Sequence, residues 1–104
     1  MRIQIKKGVR IRAMKPTVVL AIQVAAGVYE VHDQHTMTVT SICEGQHKRG
    51  SAHYTGRAFD LRIWGMTPGT VESVVKLLSS DLGPEFDVCN EPDHIHVEYD
   101  PKSA

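Results

Sequence analysis

Two stretches of this chain alternate residue by residue between apolar and ionisable side chains, and that pattern limits the fold more than anything else in it. In Ala58-Phe59-Asp60-Leu61-Arg62-Ile63-Trp64, the residues Phe59, Leu61 and Ile63 share one side and Ala58, Asp60 and Arg62 the other. In Asp93-His94-Ile95-His96-Val97-Glu98-Tyr99, the residues Ile95, Val97 and Tyr99 share one side and His94, His96 and Glu98 the other. A period of two marks a half-buried strand, because successive side chains point to opposite faces of a sheet. Both segments therefore predict strands that give one face to a core and hold titratable groups on the other. Asp60, an acid at the centre of such a face, calls for a partner. His53 precedes it, before a turn at Gly56, and can swing back towards it. If the two strands are neighbours, His53, Asp60 and one or both of His94 and His96 converge.

Two imidazoles and a carboxylate form a three-ligand set that suits zinc, with one position left for water. Strand positions hold such ligands more rigidly than loops do. A zinc-bound water has a pKa of about 7, which makes hydroxide available at neutral pH. Hydrolysis also requires a base for the water's proton and a donor for the oxyanion. The turn before the last strand offers Glu91 and Asp93 as bases, and His94 is placed to donate. A lone histidine would be read as a satisfied core or surface group; the constellation is what points to a metal.

The rest of the chain supplies a scaffold. Residues 2 to 12 interleave charge with aliphatics and suggest a short basic strand or arm. Pro16 opens a helix whose apolar residues Val18, Val19, Ile22, Ala26 and Tyr29 recur at helical spacing through Val28. His32 and His35 fall in a polar connection and are expected at the surface. Thr36 to Ile42 is rich in branched residues and predicts a strand, followed by a glycine-bounded polar loop, Glu44 to Gly50. Thr67 and Pro68 start a second helix with the stripe Val71, Val74, Val75, Leu78 and Leu82, stopped by Gly83-Pro84. Phe86 to Cys89 predicts a short strand, and Asn90 to Asp93 a turn. The sum is an α+β domain spanning 1–104, with a small, largely antiparallel sheet, helices on one face and the zinc site on the other.

Composition narrows the partners. Twelve basic residues balance twelve acidic ones, so no net field favours nucleic acid or an anionic membrane. No run of about 18 apolar residues offers a membrane span. The charged N-terminus does not look like a signal peptide, so the chain is expected in the cytoplasm as made, leaving it only by lysis or another export route. A monomer is expected. Cys43 and Cys89 are too few and too far apart for a thiolate metal motif, and buried free thiols are the simplest reading, with a bridge open if their strands pair.

Ser51-x-His53-x-x-Gly56-x-Ala58-x-Asp60, followed by Asp93-His94-Ile95-His96, resembles the zinc peptidases that include D-alanyl-D-alanine carboxypeptidases, murein endopeptidases, phage L-alanoyl-D-glutamate endolysins and the hedgehog signalling domain. The resemblance spans roughly residues 36 to 100, and the joint occurrence of the two motifs is specific. It implies zinc held by His53, Asp60 and His96, Asp93 as catalytic base, His94 assisting, and Ser51 against substrate. It further implies hydrolysis of a peptide bond in the stem or cross-link of peptidoglycan. Many relatives follow the serine of the preceding strand with a carboxylate-binding arginine, whereas Ser41 is followed here by Ile42. Gln46, Lys48 and Arg49 are then the candidates for substrate contact. A second frame takes Glu91 as base and His94 as ligand. We favour His96, because that frame gives every polar residue from 93 to 96 a task. A non-catalytic zinc module of the hedgehog kind is the rival of another class.

Overall fold

The computed structural model describes residues 1–9, 14–42 and 56–101. Its elements run β1 (Arg2–Ile5), α1 (Pro16–Val31), β2 (Thr36–Ile42), β3 (Ala58–Arg62), α2 (Pro68–Leu82), β4 (Phe86–Asn90) and β5 (His94–Tyr99). The five strands form one sheet in the order β1-β2-β3-β5-β4. Every pairing is antiparallel except β1 with β2, so this is a small α+β fold with a mostly antiparallel sheet. No helix among the described residues is long and apolar enough to cross a membrane.

The alternation that predicted β3 and β5 is what buries them. Phe59, Leu61, Ile95 and Val97 are wholly inaccessible, and they join a core with Met37, Val39, Val18, Ala25, Tyr29, Val74 and Leu78. Asp60, His94, His96 and Glu98, which alternate with them, keep part of their surface open. The two strands are immediate neighbours, with Asp60 directly opposite His96 and Arg62 opposite His94.

β2 solves a register problem. Met37 and Val39 enter the core as odd-numbered residues, yet so does Ile42, an even one. The ladder slips between Val39 and Ser41: Val39 pairs with Leu61, but Ser41 pairs with Asp60 and Ile42 with Phe59. A one-residue bulge at Thr40 thus lets the strand feed the core on both sides of the kink. It also sets Ser41 beside Asp60.

Both helices start at proline, whose missing amide proton costs nothing in the first turn. α2 is capped by Thr67, whose hydroxyl accepts from the Thr70 amide at 3.1 Å, and it ends at Gly83, where φ is 86°. It buries Val71, Val74 and Leu78, as its stripe predicts, with Val75 and Leu82 at the margin. α1 runs one turn beyond the expected end, to Val31, and has no narrow stripe. It is apolar nearly all round, so helical spacing alone misplaces Val19, which is 40 % exposed; Ala21, Ala25 and Val28 are buried instead. The helix closes on Asp33, which adopts a left-handed φ of 62° while Gln34 donates to the Tyr29 carbonyl at 3.0 Å.

His32, expected at the surface, is half-buried there and engaged through both ring nitrogens. Its Nδ1 faces the Val28 carbonyl at 2.8 Å and its Nε2 the Ser73 hydroxyl at 2.8 Å, so the ring links α1 to α2. His35 is exposed, as expected. The buried Tyr29 hydroxyl donates to the Arg62 carbonyl at 2.9 Å, anchoring α1 to the end of β3, and burial pushes its pKa well up. β3 ends at Arg62 rather than running to Trp64, because the chain turns there: Met66 donates to the Ile63 carbonyl at 3.1 Å, with Gly65 at a φ of 80°.

Candidate metal and hydrolytic site

In-register pairing makes a row of side chains across the sheet: Ser41, Asp60, His96 and Cys89 on β2, β3, β5 and β4. At its centre His96 Nδ1 lies 2.8 Å from Asp60 Oδ1, and Nε2 lies 3.1 Å from Glu98 Oε1. Only an imidazolium donates from both nitrogens, so two carboxylates around one ring hold a proton on it. The Asp60 hydrogen bond is the largest cause of a pKa raised to about 9; burial opposes it, and Glu98 reinforces it.

His94 stands beside His96 on the same side of β5. Its Nε2 lies 3.7 Å from Asp60 Oδ1, and its Nδ1 is bonded to Asp93 Oδ1 at 2.6 Å. Asp93, in the turn before β5, is 88 % exposed, so it steers the ring from the solvent side. Both late histidines therefore aim a nitrogen at one oxygen of Asp60. Glu91 lies at the start of the same turn, where its amide donates to the His94 carbonyl at 3.0 Å.

The donor set can be tested for zinc on these atoms. A partly buried carboxylate oxygen and imidazole nitrogen are in direct contact at 2.8 Å, and both are ligand types that zinc accepts. Glu98 at the far nitrogen of His96 is the carboxylate partner that metal-bound histidines ordinarily have. By type Asp60 and His96 thus suit zinc, but here their 2.8 Å contact is a hydrogen bond that favours the protonated ring. His53, the third expected ligand, lies outside the described residues, as do Ser51, Gln46, Lys48, Arg49 and Cys43. Among the described residues the group that brings three ligand atoms within 4.8 Å of one another is Asp87, Glu98 and Asp100, and not Asp60 with the late histidines. That all-oxygen set has the chemistry of hard cations such as calcium rather than of zinc.

Comparison with protein-family models, with curated proteins and with solved structures finds no match to this chain.

Two residues acquire a place that alternation alone did not give them. Glu98 was visible as a third polar residue on the face of β5, and its spacing of two from His96 was the signal for the contact. Arg62 stacks over Trp64 at 3.7 Å from the ring centroid, leaving Trp64 75 % exposed. Cys89 corrects an expectation: it is a free thiol and exposed, because β4 is the sheet edge and the residue faces the side of His96 rather than the core. Burial, then Glu91, Asp87 and Glu98, push its pKa up, so it rests as a thiol.

Proposed function

We propose that this chain is a zinc-dependent peptidase acting on the stem peptides or cross-links of peptidoglycan, with the helices on one face of the sheet and the metal site on the other. The observation that carries the reading is the in-register pair of Asp60 and His96, their donor atoms 2.8 Å apart, with Asp93 and His94 at the mouth of the same strand. An arrangement serving stability alone has no use for that second pair.

In this reading Asp60 and His96, with His53, hold the ion, and Glu98 fixes the His96 ring by accepting from Nε2. A bound zinc supplies Lewis acidity for an attacking water and for the peptide carbonyl. Asp93 takes the proton of the water. Its bond to His94 Nδ1 points His94 Nε2 towards Asp60, which sets the ring beside the developing oxyanion. The proton then passes to the leaving amine. His96 rather than His94 is assigned as ligand because it is the nearer to Asp60 and sits inside the strand, whereas His94 opens it.

The test is digestion of purified peptidoglycan, with mass analysis of the fragments, using zinc-supplemented protein with and without a chelator. New peptide termini that vanish with chelator and return with zinc are the expected result. A folded, zinc-loaded chain that leaves every wall preparation unchanged would overturn the hydrolase and favour the hedgehog-like binding module.

A further inference from the structure

The balance of twelve basic and twelve acidic residues hides a division along the chain. Residues 1–12 carry Arg2, Lys6, Lys7, Arg10 and Arg12 and no acid, whereas residues 83–100 carry six acidic residues and neither lysine nor arginine. The fold sends the strands of these stretches to opposite edges of the sheet, β1 to one and β4 to the other. Among the described residues no strand lies outside either of them. The amides of Arg2 and Lys6 donate into β2, to the His35 and Val39 carbonyls at 3.0 and 2.9 Å. Ile3 and Ile5, which alternate with them, therefore turn their amides and carbonyls to the open side. Such a row of backbone groups is a template for a further strand.

The two edges complement each other on both faces. On the helix side β1 presents Ile3 and Ile5, 41 % and 39 % exposed, and β4 presents Phe86 and Val88, only partly buried against the core. On the other side β1 presents Arg2, Gln4 and Lys6, and β4 presents Asp87 and Cys89. Asp87 brings a carboxylate oxygen within 4.8 Å of those of Glu98 and Asp100, so the surface there is strongly negative. Apart from Trp64, every exposed large apolar residue among the described ones lies within residues 1–5 or on α1, which packs over β2 beside β1. Exposed apolar surface gathered at one edge marks a contact surface.

We propose that copies of this chain associate head to tail, the β1 edge of one pairing antiparallel with the β4 edge of the next. Strand direction permits this without inverting a copy. β1 runs with β2 and each later neighbour reverses, so β1 and β4 run oppositely, and the helices of every copy stay on one side of the continued sheet. Side-chain parity restricts the register to steps of two. Setting Lys6 opposite Asp87 puts Ile5 opposite Val88, Gln4 opposite Cys89 and Arg2 level with Glu91. Opposite charges facing across strands are stabilising, and like charges are the reverse. The twofold alternatives are disfavoured on that ground: β1 against its own copy sets Arg2 opposite Lys6, and β4 against its own copy brings acid to acid. A ladder of about five residues is a small interface, below about 1,200 Å², so the contact is weak and builds with concentration. It is independent of the peptidase reading.

Gln4→Cys tests the register, because Cys89 is a free and exposed thiol. Within one chain the two positions are four strand spacings apart, about 19 Å, whereas a disulfide spans at most about 7 Å between Cα atoms. Any bridge between them therefore joins two copies. Oxidation of the full chain carrying Gln4→Cys and Cys43→Ser is expected to give a reducible ladder of multimers, with the 4–89 bridge found by mass analysis of peptides. Adding Cys89→Ser should abolish it. Lys76→Cys, exposed on α2, is the control for chance collision, and multimers formed as readily from it overturn the inference. In sedimentation at low salt the unaltered chain should gain mean mass with concentration and pass the dimer. Lys6→Glu and Asp87→Lys should each weaken association about tenfold, and their equimolar mixture should restore it, since each altered edge then meets an opposite charge. A mass that stays at one chain, a limit at two, or no rescue on mixing overturns the proposal. If either charge variant does not fold, the Gln4→Cys ladder decides alone.

Discussion

Replacing Asp60 by asparagine in the metal-free protein tests the electrostatics of the site directly. The substitution keeps the shape of the side chain and removes the charge that is the chief cause of the raised His96 pKa. A folded-state value of about 9, above the ordinary 6.5, means that the native state prefers the protonated ring. The stabilisation is therefore complete below about pH 6.5 and is lost as pH rises through about 9. At about 1.4 kcal/mol per pH unit the ceiling is about 3 kcal/mol. His96 and Asp60 side chains are 19 % and 14 % exposed, so solvent screening lowers the expected figure to about 2 kcal/mol. Urea unfolding of chelator-treated protein at pH 6.5 and 9.5 should show the wild type losing more than Asp60→Asn, by about 1.4 kcal/mol for each pH unit by which the variant's His96 midpoint falls. Nuclear magnetic resonance of the ring should put the His96 midpoint near 9. In the variant it should fall by about one pH unit or more, since the largest cause of the raised value is gone while Glu98 remains. A wild-type ring titrating at its ordinary value, or parallel stability profiles for the two proteins, would refute the argument.

Zinc content separates the two late histidines: His96→Ala should lose the metal and His94→Ala should keep it while losing turnover, and the opposite pattern would move the ligand to His94. Asp93→Ala should remain folded and zinc-loaded yet hydrolyse wall peptides about a hundredfold more slowly, the usual scale for general acid–base help, as measured by fragment release. At the scaffold, Thr67→Ala removes the hydroxyl that accepts from Thr70 and should cost about 1 kcal/mol in urea unfolding, with no change in zinc content.

The strands that carry the site were legible because they are half-buried. Burial of Phe59, Leu61, Ile95 and Val97 writes a period of two into the sequence, and Asp60, His94 and His96 stand out against it. α2 was equally plain, since its stripe and both ends obey local rules. α1 was readable as a helix but not as an oriented one, because a segment apolar on most sides has no preferred face. The parallel pairing of β1 was not legible: all four of its residues are exposed and impose no pattern. The bulge in β2 is written only in a change of parity: Met37 and Val39 alternate with threonines, and Thr40-Ser41 then put Ile42 on the core side one residue late, a signal too short to separate from ordinary variation. Within the site, the Asp60–His96 pairing followed from alternation once the strands were taken as neighbours. The Arg62–Trp64 stack did not, since it depends on a chain turn that ends the strand two residues early.

The bulge at Thr40 has a consequence for how this chain tolerates changes of length. Val39 pairs with Leu61 and Ser41 with Asp60, so Thr40 is the one residue of β2 without a counterpart in the ladder. Deleting it would close the kink and leave every other pairing intact. The same deletion between Ala58 and Arg62, or between His94 and Tyr99, would move Asp60 or His96 to the side of Phe59 and Val97. The apolar residues of those strands therefore act as the ruler that keeps the polar ones in place. Insertions and deletions, more than substitutions, are what the Asp60–His96 pairing must avoid, and among the described strands Thr40 of β2 is a position where the sheet can absorb one.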